Sequence, residues 1–159
     1  MNSNLAHNIK HRTFANDEFM TPSELAKSLA KLLPDLSNLI VLEPCPGDGA
    51  FIKAIPGIIP LEGDFYSEMC EVDWIVTNPP YSDLDNWLHH SFELAEKGVA
   101  LLIGLLNLTP KRLEMANRMG FGVTTIHLCK VFHWFGISAF IIWQKNHPDI
   151  LTYDRIVWR

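Results

Sequence analysis

The sequence predicts an α/β fold with a mostly parallel sheet and an antiparallel C-terminal strand, in a single domain over residues 1–159. Segments of strand length alternate with amphipathic segments of helix length along most of the chain, which is typical of parallel strands joined by helical crossovers. One segment, Val99–Leu108, is apolar almost throughout, as expected for a strand that helices cover on both faces. We expect residues 1–18 to be a flexible N-terminal segment.

The first half of the chain contains one long predicted helix and three predicted strands. The helix covers residues 21–36, where Thr21 is expected to cap the N-terminus, Pro22 lies in the first turn and leucines recur at helical spacing. The strands are Leu39–Leu42, the segment IIPLEGDF and the segment DWIVT. A helix that begins at Ala50 should stop at Pro56, because proline removes a backbone donor and clashes with the preceding turn.

The second half alternates helices and strands. Residues 82–98 are predicted to form an amphipathic helix with Gly98 as its C-cap, and residues 109–120 a second capped helix. Strands are predicted at 99–108, 123–132 and 138–146. The alternation therefore continues to the C-terminal region.

Charge and composition limit the classes of function. The net charge of −5 argues against a broad electrostatic grip on nucleic acid, which normally requires a basic surface. No apolar run reaches membrane-spanning length, and the N-terminus has no signal-peptide core. The three cysteines are scattered and odd in number, so no disulfide framework follows. We expect a cytoplasmic protein with no membrane contact.

Three unusual turns point to one functional edge of the predicted sheet. The turns EPCPGDG, GDF and NPPY each follow a predicted strand, and parallel sheets bind ligands outside the carboxyl ends of their strands. In the third turn, Asn78 offers a side-chain oxygen and Pro79 a rigidly held carbonyl oxygen. Two such acceptors would hold the N–H groups of an sp² amine so that its lone pair is localised. Tyr81 can stack on a planar substrate.

The NPPY turn resembles the catalytic motif of the amino-methyltransferases that depend on S-adenosylmethionine. This family includes N6-adenine DNA methyltransferases, glutamine methyltransferases of release factors and some RNA enzymes. The resemblance implies a catalytic motif made of Asn78, Pro79, Pro80 and Tyr81. A stiff turn that ends a core strand is the alternative interpretation of the same four residues.

Three further motifs occur in the family's order and imply the cofactor S-adenosylmethionine. The segments FMTP, EPCPGDG and GDF resemble its cofactor motifs, which implies cofactor contacts from Phe19, Thr21, Pro22, Glu43, Pro44, Gly47, Asp48, Gly49, Asp64 and Phe65. One segment departs from the family. Residues 50–62 replace a helix, a strand that ends in a ribose-binding acidic residue, and a further helix. The resemblance thus implies a Rossmann-like methyltransferase sheet that is trimmed after the cofactor loop.

The remaining site predictions concern substrate and partners. Phe132 and Trp134 are candidates to clamp a flipped base, although a role in the core or in a dimer contact explains them equally well. Lys111 and Arg112 are candidates for phosphate contacts, with a solvated helix face as the alternative. No metal site is expected. We expect DNA as the partner and a homodimer formed in part through the aromatic C-terminal region.

The resemblance implies transfer of a methyl group from S-adenosylmethionine to N6 of adenine in DNA, and three other functions remain open from the sequence. An RNA adenine or a protein glutamine methyltransferase would carry the same NPPY turn, and an acidic chain is less unusual among such enzymes. A non-catalytic protein that keeps the fold and has lost cofactor affinity would explain the trimmed segment. The intact Asn78 turn favours an enzyme.

Overall fold

A computed structural model describes residues 19–131 and 136–154, and its strands form one mixed sheet. The helices are α1 Ser23–Ala30, α2 Ala50–Ala54, α3 Leu84–Leu94 and α4 Pro110–Arg118. The strands are β1 Val41–Glu43, β2 Ile59–Pro60, β3 Val72–Thr77, β4 Ala95–Gly104, β5 Phe121–Cys129 and β6 Ser138–Lys145. Within the described ranges the order is β2-β1-β3-β4-β6-β5. Strands β1 to β4 pair in parallel and β6 pairs antiparallel with β4 and β5, so the predicted fold class is confirmed.

Both faces of the sheet are covered, as the apolar β4 segment predicted. Val99, Leu101 and Ile103 point into a core formed with α3 and α4. Ala100 and Leu102 point to the opposite face, against α1 and α2. Alternation along a strand sends successive side chains to opposite faces, so a strand buried on both faces must be apolar at every position.

Two predicted helix caps are wrong. Helix α1 begins at Ser23, and Pro22 is its N-cap residue without a side-chain cap bond, so Thr21 does not cap it. Gly98 is not a C-cap, because the chain passes from Leu94 directly into β4, where Gly98 pairs with Trp74. A Cβ atom at Gly98 would overlap the Trp74 ring. The glycine is therefore required by packing between neighbouring strands.

The segment after the glycine turn is short, as expected. It contains only the five-residue α2 and the two-residue β2, which pairs in parallel with β1. In this part of the described chain, β2 is the edge of the sheet.

The apolar C-terminal region supplies much of the core. In β6, Phe140 and Trp143 are at most 1% exposed and pack on opposite faces of the sheet. The predicted substrate residues Phe132 and Trp134 lie outside the described residues. No helix in the described ranges is long and apolar enough to cross a membrane.

Candidate active site

A cavity of about 460 Å³ lies at the carboxyl ends of β1 and β3. Its volume is within the range of ligand pockets, about 300–1,000 Å³. It is lined by Phe19, Met20, Thr21, Glu43, Pro44, Cys45, Pro46, Gly47, Asp48, Ala50, Phe51, Leu61, Gly63, Asn78 and Pro80. The FMTP segment, the glycine turn and the NPPY turn, which are far apart in sequence, therefore meet at one cavity.

The glycine turn brings backbone close to the cavity. Gly47 has a φ of +52° and Gly49 a φ of +79°, a left-handed conformation that favours glycine. A Cβ atom at Gly47 would lie 3.1 Å from the sulfur of Met20. Because Gly47 lacks a side chain, this wall of the cavity stays open between the turn and the FMTP segment.

Glu43 places a carboxyl group in the cavity lining at the end of β1. The residue is 1% exposed, and its Oε1 atom accepts a hydrogen bond of 3.0 Å from the Cys45 N–H. Burial raises the pKa of the Glu43 carboxyl from 4.5 to about 8, against the opposing effects of Thr77 and the Cys45 N–H. The carboxyl group is therefore mostly protonated near pH 7.

The Asn78 side chain is held by the FMTP segment. Its Nδ2 atom donates to the Phe19 carbonyl oxygen at 2.6 Å and to the Thr21 hydroxyl oxygen at 3.1 Å. A backbone carbonyl can only accept, so the orientation of the amide follows from this contact. Both N–H groups of the amide are used, and the Oδ1 atom is the group that Asn78 can still offer to a ligand.

Tyr81 contacts Phe19 and lines a second cavity. The two rings stack with centroids 5.9 Å apart and an angle of 28° between their planes. The second cavity, of about 280 Å³, is lined by Phe19, Tyr81, Gly104, Leu105, Leu106, Asn107, Gly136, Ile137 and Ser138. Phe19 lines both cavities, so the NPPY turn and the FMTP segment together separate them.

Asp64 and Phe65 do not line the cofactor-sized cavity, although the resemblance implied that they bind the cofactor. Phe65 is 3% exposed and stacks on Trp87 with ring centroids 4.4 Å apart. Asp64 is exposed and accepts a hydrogen bond of 2.9 Å from the Ser67 hydroxyl. Helix α3 therefore takes up the aromatic ring that would otherwise face the cavity.

Three other predicted residues stand beside the cavity rather than in its lining. Pro22 is the N-cap residue of α1, Gly49 is the N-cap residue of α2, and Pro79 is buried within the NPPY turn.

Lys111 and Arg112 are engaged within the protein. Lys111 Nζ and Arg112 Nε each lie 2.6 Å from a carboxylate oxygen of Asp85. These contacts hold the pKa of Asp85 below its ordinary value. Arg112 also donates to the backbone and side-chain oxygens of Asn107, at 2.7 and 3.1 Å. Arg112 therefore holds the turn that lines the second cavity, and the phosphate contacts of Lys111 and Arg112 stay predictions.

Sequence reasoning missed several lining residues. Met20, Cys45 and Pro46 lie inside the motifs, next to residues that were predicted to bind the cofactor. Leu61 and Asn107 carry no signal in the sequence, since they reach the cavities only through the pairing of β2 and the turn after β4. Across the described ranges, no cluster of three or more His, Cys, Asp or Glu residues could hold a metal ion.

Comparison with solved structures shows the same fold in methyltransferases. A proposed RNA methyltransferase, PH1948 from Pyrococcus horikoshii, has a TM-score of 0.62 at 17% identity, covering 80% of this chain and 87% of that one. The M protein of the type I restriction enzyme EcoKI also has a TM-score of 0.62, at 12% identity, covering 89% of this chain and 47% of that one.

A third similar structure contains a bound cofactor product. Magnesium protoporphyrin IX methyltransferase from Synechocystis PCC 6803, with bound SAH, has a TM-score of 0.59 at 10% identity, covering 89% of this chain and 95% of that one. No protein-family model and no curated protein matches the sequence. The chain thus has a Rossmann-like fold that is shared with these methyltransferases.

Proposed function

We propose that the protein transfers the methyl group of S-adenosylmethionine to an amine nitrogen, and that this nitrogen is N6 of adenine in DNA. The observation that carries the proposal is the orientation of Asn78. Its two N–H groups are bonded to Phe19 and Thr21, so beside the cavity it offers an acceptor. An acceptor suits an amine, which brings N–H groups, whereas an oxyanion would require donors.

The larger cavity suits the cofactor. Its volume of about 460 Å³, the side-chain-free Gly47 and the Glu43 carboxyl group match an elongated ligand with cationic groups. Bound there, S-adenosylmethionine would supply an electrophilic methyl group on a sulfonium. Gly47 and Met20 would hold its amino-acid part, and a positive charge of the ligand beside Glu43 would favour loss of the carboxyl proton. The fold shared with a methyltransferase that binds SAH supports the same choice.

The NPPY turn would act by placement. The Asn78 Oδ1 atom and the Pro79 carbonyl oxygen would each accept one N–H group of the substrate amine, which localises the nitrogen lone pair. Held in this way, the nitrogen would take the methyl group that bound S-adenosylmethionine would supply as the carbon–sulfur bond breaks, and the methylated amine would lose a proton to water. Neither oxygen is basic enough to take that proton.

The second cavity suits a planar heterocycle. Its volume of about 280 Å³ and its Tyr81 ring fit a nucleobase taken out of the stack. DNA adenine is our proposal because the NPPY turn resembles that of the N6-adenine enzymes, and the fold is shared with the M protein of EcoKI. RNA adenine and protein glutamine present the same pair of N–H groups.

One observation favours a non-catalytic binding protein instead. Asp64 and Phe65, which the resemblance assigns to the adenine part of the cofactor, are turned away from the cavity. A protein with this arrangement would bind the cofactor weakly. Calorimetry with S-adenosylmethionine separates the two proposals, since the absence of heat at millimolar ligand would favour the binding protein.

Incubation with radiolabelled S-adenosylmethionine and separate pools of DNA, RNA and protein tests the proposed activity. We expect label in DNA, with Asn78→Ala at least about 100-fold slower because one oriented acceptor is lost. Its cofactor affinity should stay within a few-fold. Asn86→Ala, at an exposed position on α3, is the matched control and should keep full activity. Label in RNA or protein alone would overturn the DNA substrate, and full activity of Asn78→Ala would overturn the mechanism.

A further inference from the structure

The Thr21 hydroxyl has a role that neither helix capping nor ligand contact explains. Thr21 is 6% exposed and precedes α1, yet it makes no cap bond to that helix. Its Oγ1 atom instead accepts a hydrogen bond of 3.1 Å from Asn78 Nδ2, across 57 residues of sequence. Because this buried hydroxyl is hydrogen-bonded to a distant amide, we infer that its role is to set the orientation of that amide.

We propose that Thr21 is a positioning residue, whose hydroxyl holds the Asn78 amide with Oδ1 turned toward the substrate amine. This inference rests on the proposed methyl transfer and deepens it, since it adds a residue that acts through Asn78. The Phe19 carbonyl oxygen, 2.6 Å from the same Nδ2 atom, completes the holder.

The contact with the Phe19 carbonyl oxygen excludes the flipped amide. A rotation of about 180° about the last side-chain bond would exchange Oδ1 and Nδ2. Oδ1 would then face the Phe19 carbonyl oxygen, and two acceptors would be opposed without a proton between them. The flipped amide would also present N–H groups to the N–H groups of a substrate amine. The Phe19 carbonyl oxygen therefore selects the orientation that can accept, and the Thr21 hydroxyl holds the second N–H group in that orientation.

The hydroxyl also restricts rotation more than the carbonyl does alone. With Phe19 as the single partner, the amide can pivot about one hydrogen bond. With Thr21 added, both N–H directions are fixed and the position of Oδ1 follows. Loss of one such bond changes an equilibrium by about three- to tenfold, so we expect a loss of about tenfold in kcat when the hydroxyl is removed.

Thr21→Val and Thr21→Ser form a matched pair for the test. Valine keeps the shape and removes the acceptor, whereas serine keeps the hydroxyl and removes a methyl group. We expect Thr21→Val to lower kcat about tenfold while cofactor affinity and melting temperature stay near wild type. Thr21→Ser should recover most of the wild-type kcat. Equal kcat values for wild type and Thr21→Val would overturn the inference, as would equal losses in both variants.

A measurement that needs no catalysis separates this inference from the proposed function. The two Nδ2 protons of Asn78, assigned by NMR with Asn78→Asp, should be slow to exchange in the wild type and in Thr21→Ser. In Thr21→Val one of them should exchange faster. If all pools stay unlabelled, the proposed function fails, and this exchange result still decides whether Thr21 holds the amide. Unchanged exchange in Thr21→Val would overturn the inference even in an active enzyme.

Discussion

Glu43 lines the cavity, and its carboxyl group is buried at the end of β1. The contacts of the described chain give this group no cationic partner. Burial raises the pKa of Glu43 to about 8. In the unfolded chain the same group has its ordinary value of 4.5. The folded state therefore binds a proton that the unfolded state releases between these two values, and stability is linked to pH in that interval.

The first prediction concerns Glu43→Gln and its pH dependence. Well below pH 4.5 the Glu43 carboxyl group is neutral in both the folded and the unfolded state, so it does not change the free energy of unfolding with pH. As the pH rises from there through about 8 the unfolded chain alone is ionised, so the carboxyl progressively lowers stability. We expect the melting temperature of Glu43→Gln to exceed that of wild type increasingly across this interval.

Thermal unfolding at a series of pH values checks the Glu43 prediction. Glu62→Gln, at an exposed position in the same region, is the control and should track the wild type. If the difference in melting temperature between wild type and Glu43→Gln stayed constant from pH 5 to 8.5, the raised pKa of Glu43 would be contradicted.

The sequence predicted which residues line the site better than it predicted what each side chain contacts there. Asn78 and Gly47 line the cavity as expected, because a motif concentrates its constraints within a few neighbouring residues. Thr21 has the residue type and position of a helix cap, but its hydroxyl is bound to Asn78. A local rule for caps has no information about a residue that lies far away along the chain.

At the scale of elements, the contact between β3 and β4 depends on one glycine. Gly98 pairs with Trp74, whose ring covers it and is 2% exposed. The sequence suggested a C-cap, since any glycine after a helix satisfies that rule. The true constraint comes from the neighbouring strand and is visible only once the strands are paired.

The second prediction is that Gly98→Ala destabilises the protein by about 1–3 kcal/mol, because the new methyl group forces the Trp74 ring to move within a packed core. Gly104→Ala, in the same strand, is the control. Its Cβ atom would lie 3.2 Å from Asn107 Nδ2, a contact that a shift of a few tenths of an ångström relieves. Urea denaturation compares the two, and equal free energies of unfolding would contradict the role of the Trp74 contact.

Helix α4 offers a third prediction, because two of its basic residues, Lys111 and Arg112, share Asp85 unequally. The Lys111 side chain is 67% exposed and that of Arg112 is 17% exposed. Exposed ion pairs contribute about 0–1 kcal/mol, so Lys111→Ala should leave stability and turnover nearly unchanged. Arg112→Ala should lower turnover, since Asn107 and the turn that lines the second cavity lose their anchor.

Steady-state kinetics and DNA binding at several salt concentrations test the two variants. A phosphate contact by Lys111 would lower the slope of log affinity against log salt by about one. We expect the slope to remain that of the wild type in Lys111→Ala. A lower slope would support the phosphate contact that the sequence predicts for Lys111.

For the whole molecule, the sequence predicted the fold class because alternating segments of strand and helix permit few arrangements. It did not separate core from surface in the C-terminal region. Phe140 and Trp143 were candidates for a dimer contact, yet β6 lies inside the sheet and buries them. An apolar segment has the same composition in a core as in an interface, and the position of its strand in the sheet decides between them.

The proposed homodimer would use only the apolar side chains of the C-terminal region that stay exposed, because the aromatic side chains of β6 are buried. Leu128, Ile137 and Ile150 remain 55%, 51% and 62% exposed in the C-terminal region. A chain with a net charge of −5 offers one face to a duplex, which is little beside the area that specific DNA interfaces bury. A two-fold dimer would double that face and match a palindromic site.

The last prediction is therefore a dimer that Leu128→Lys disrupts. Light scattering at micromolar concentration should give twice 18.1 kDa for the wild type and a lower mass for the variant, because a charge buried in an apolar contact is costly. Ile59→Lys replaces a residue of similar exposure, 49%, on β2 at the other end of the sheet, and should remain dimeric. A mass of 18.1 kDa for the wild type with and without DNA would exclude the dimer, and asymmetric methylated sites on random duplexes would exclude the palindrome.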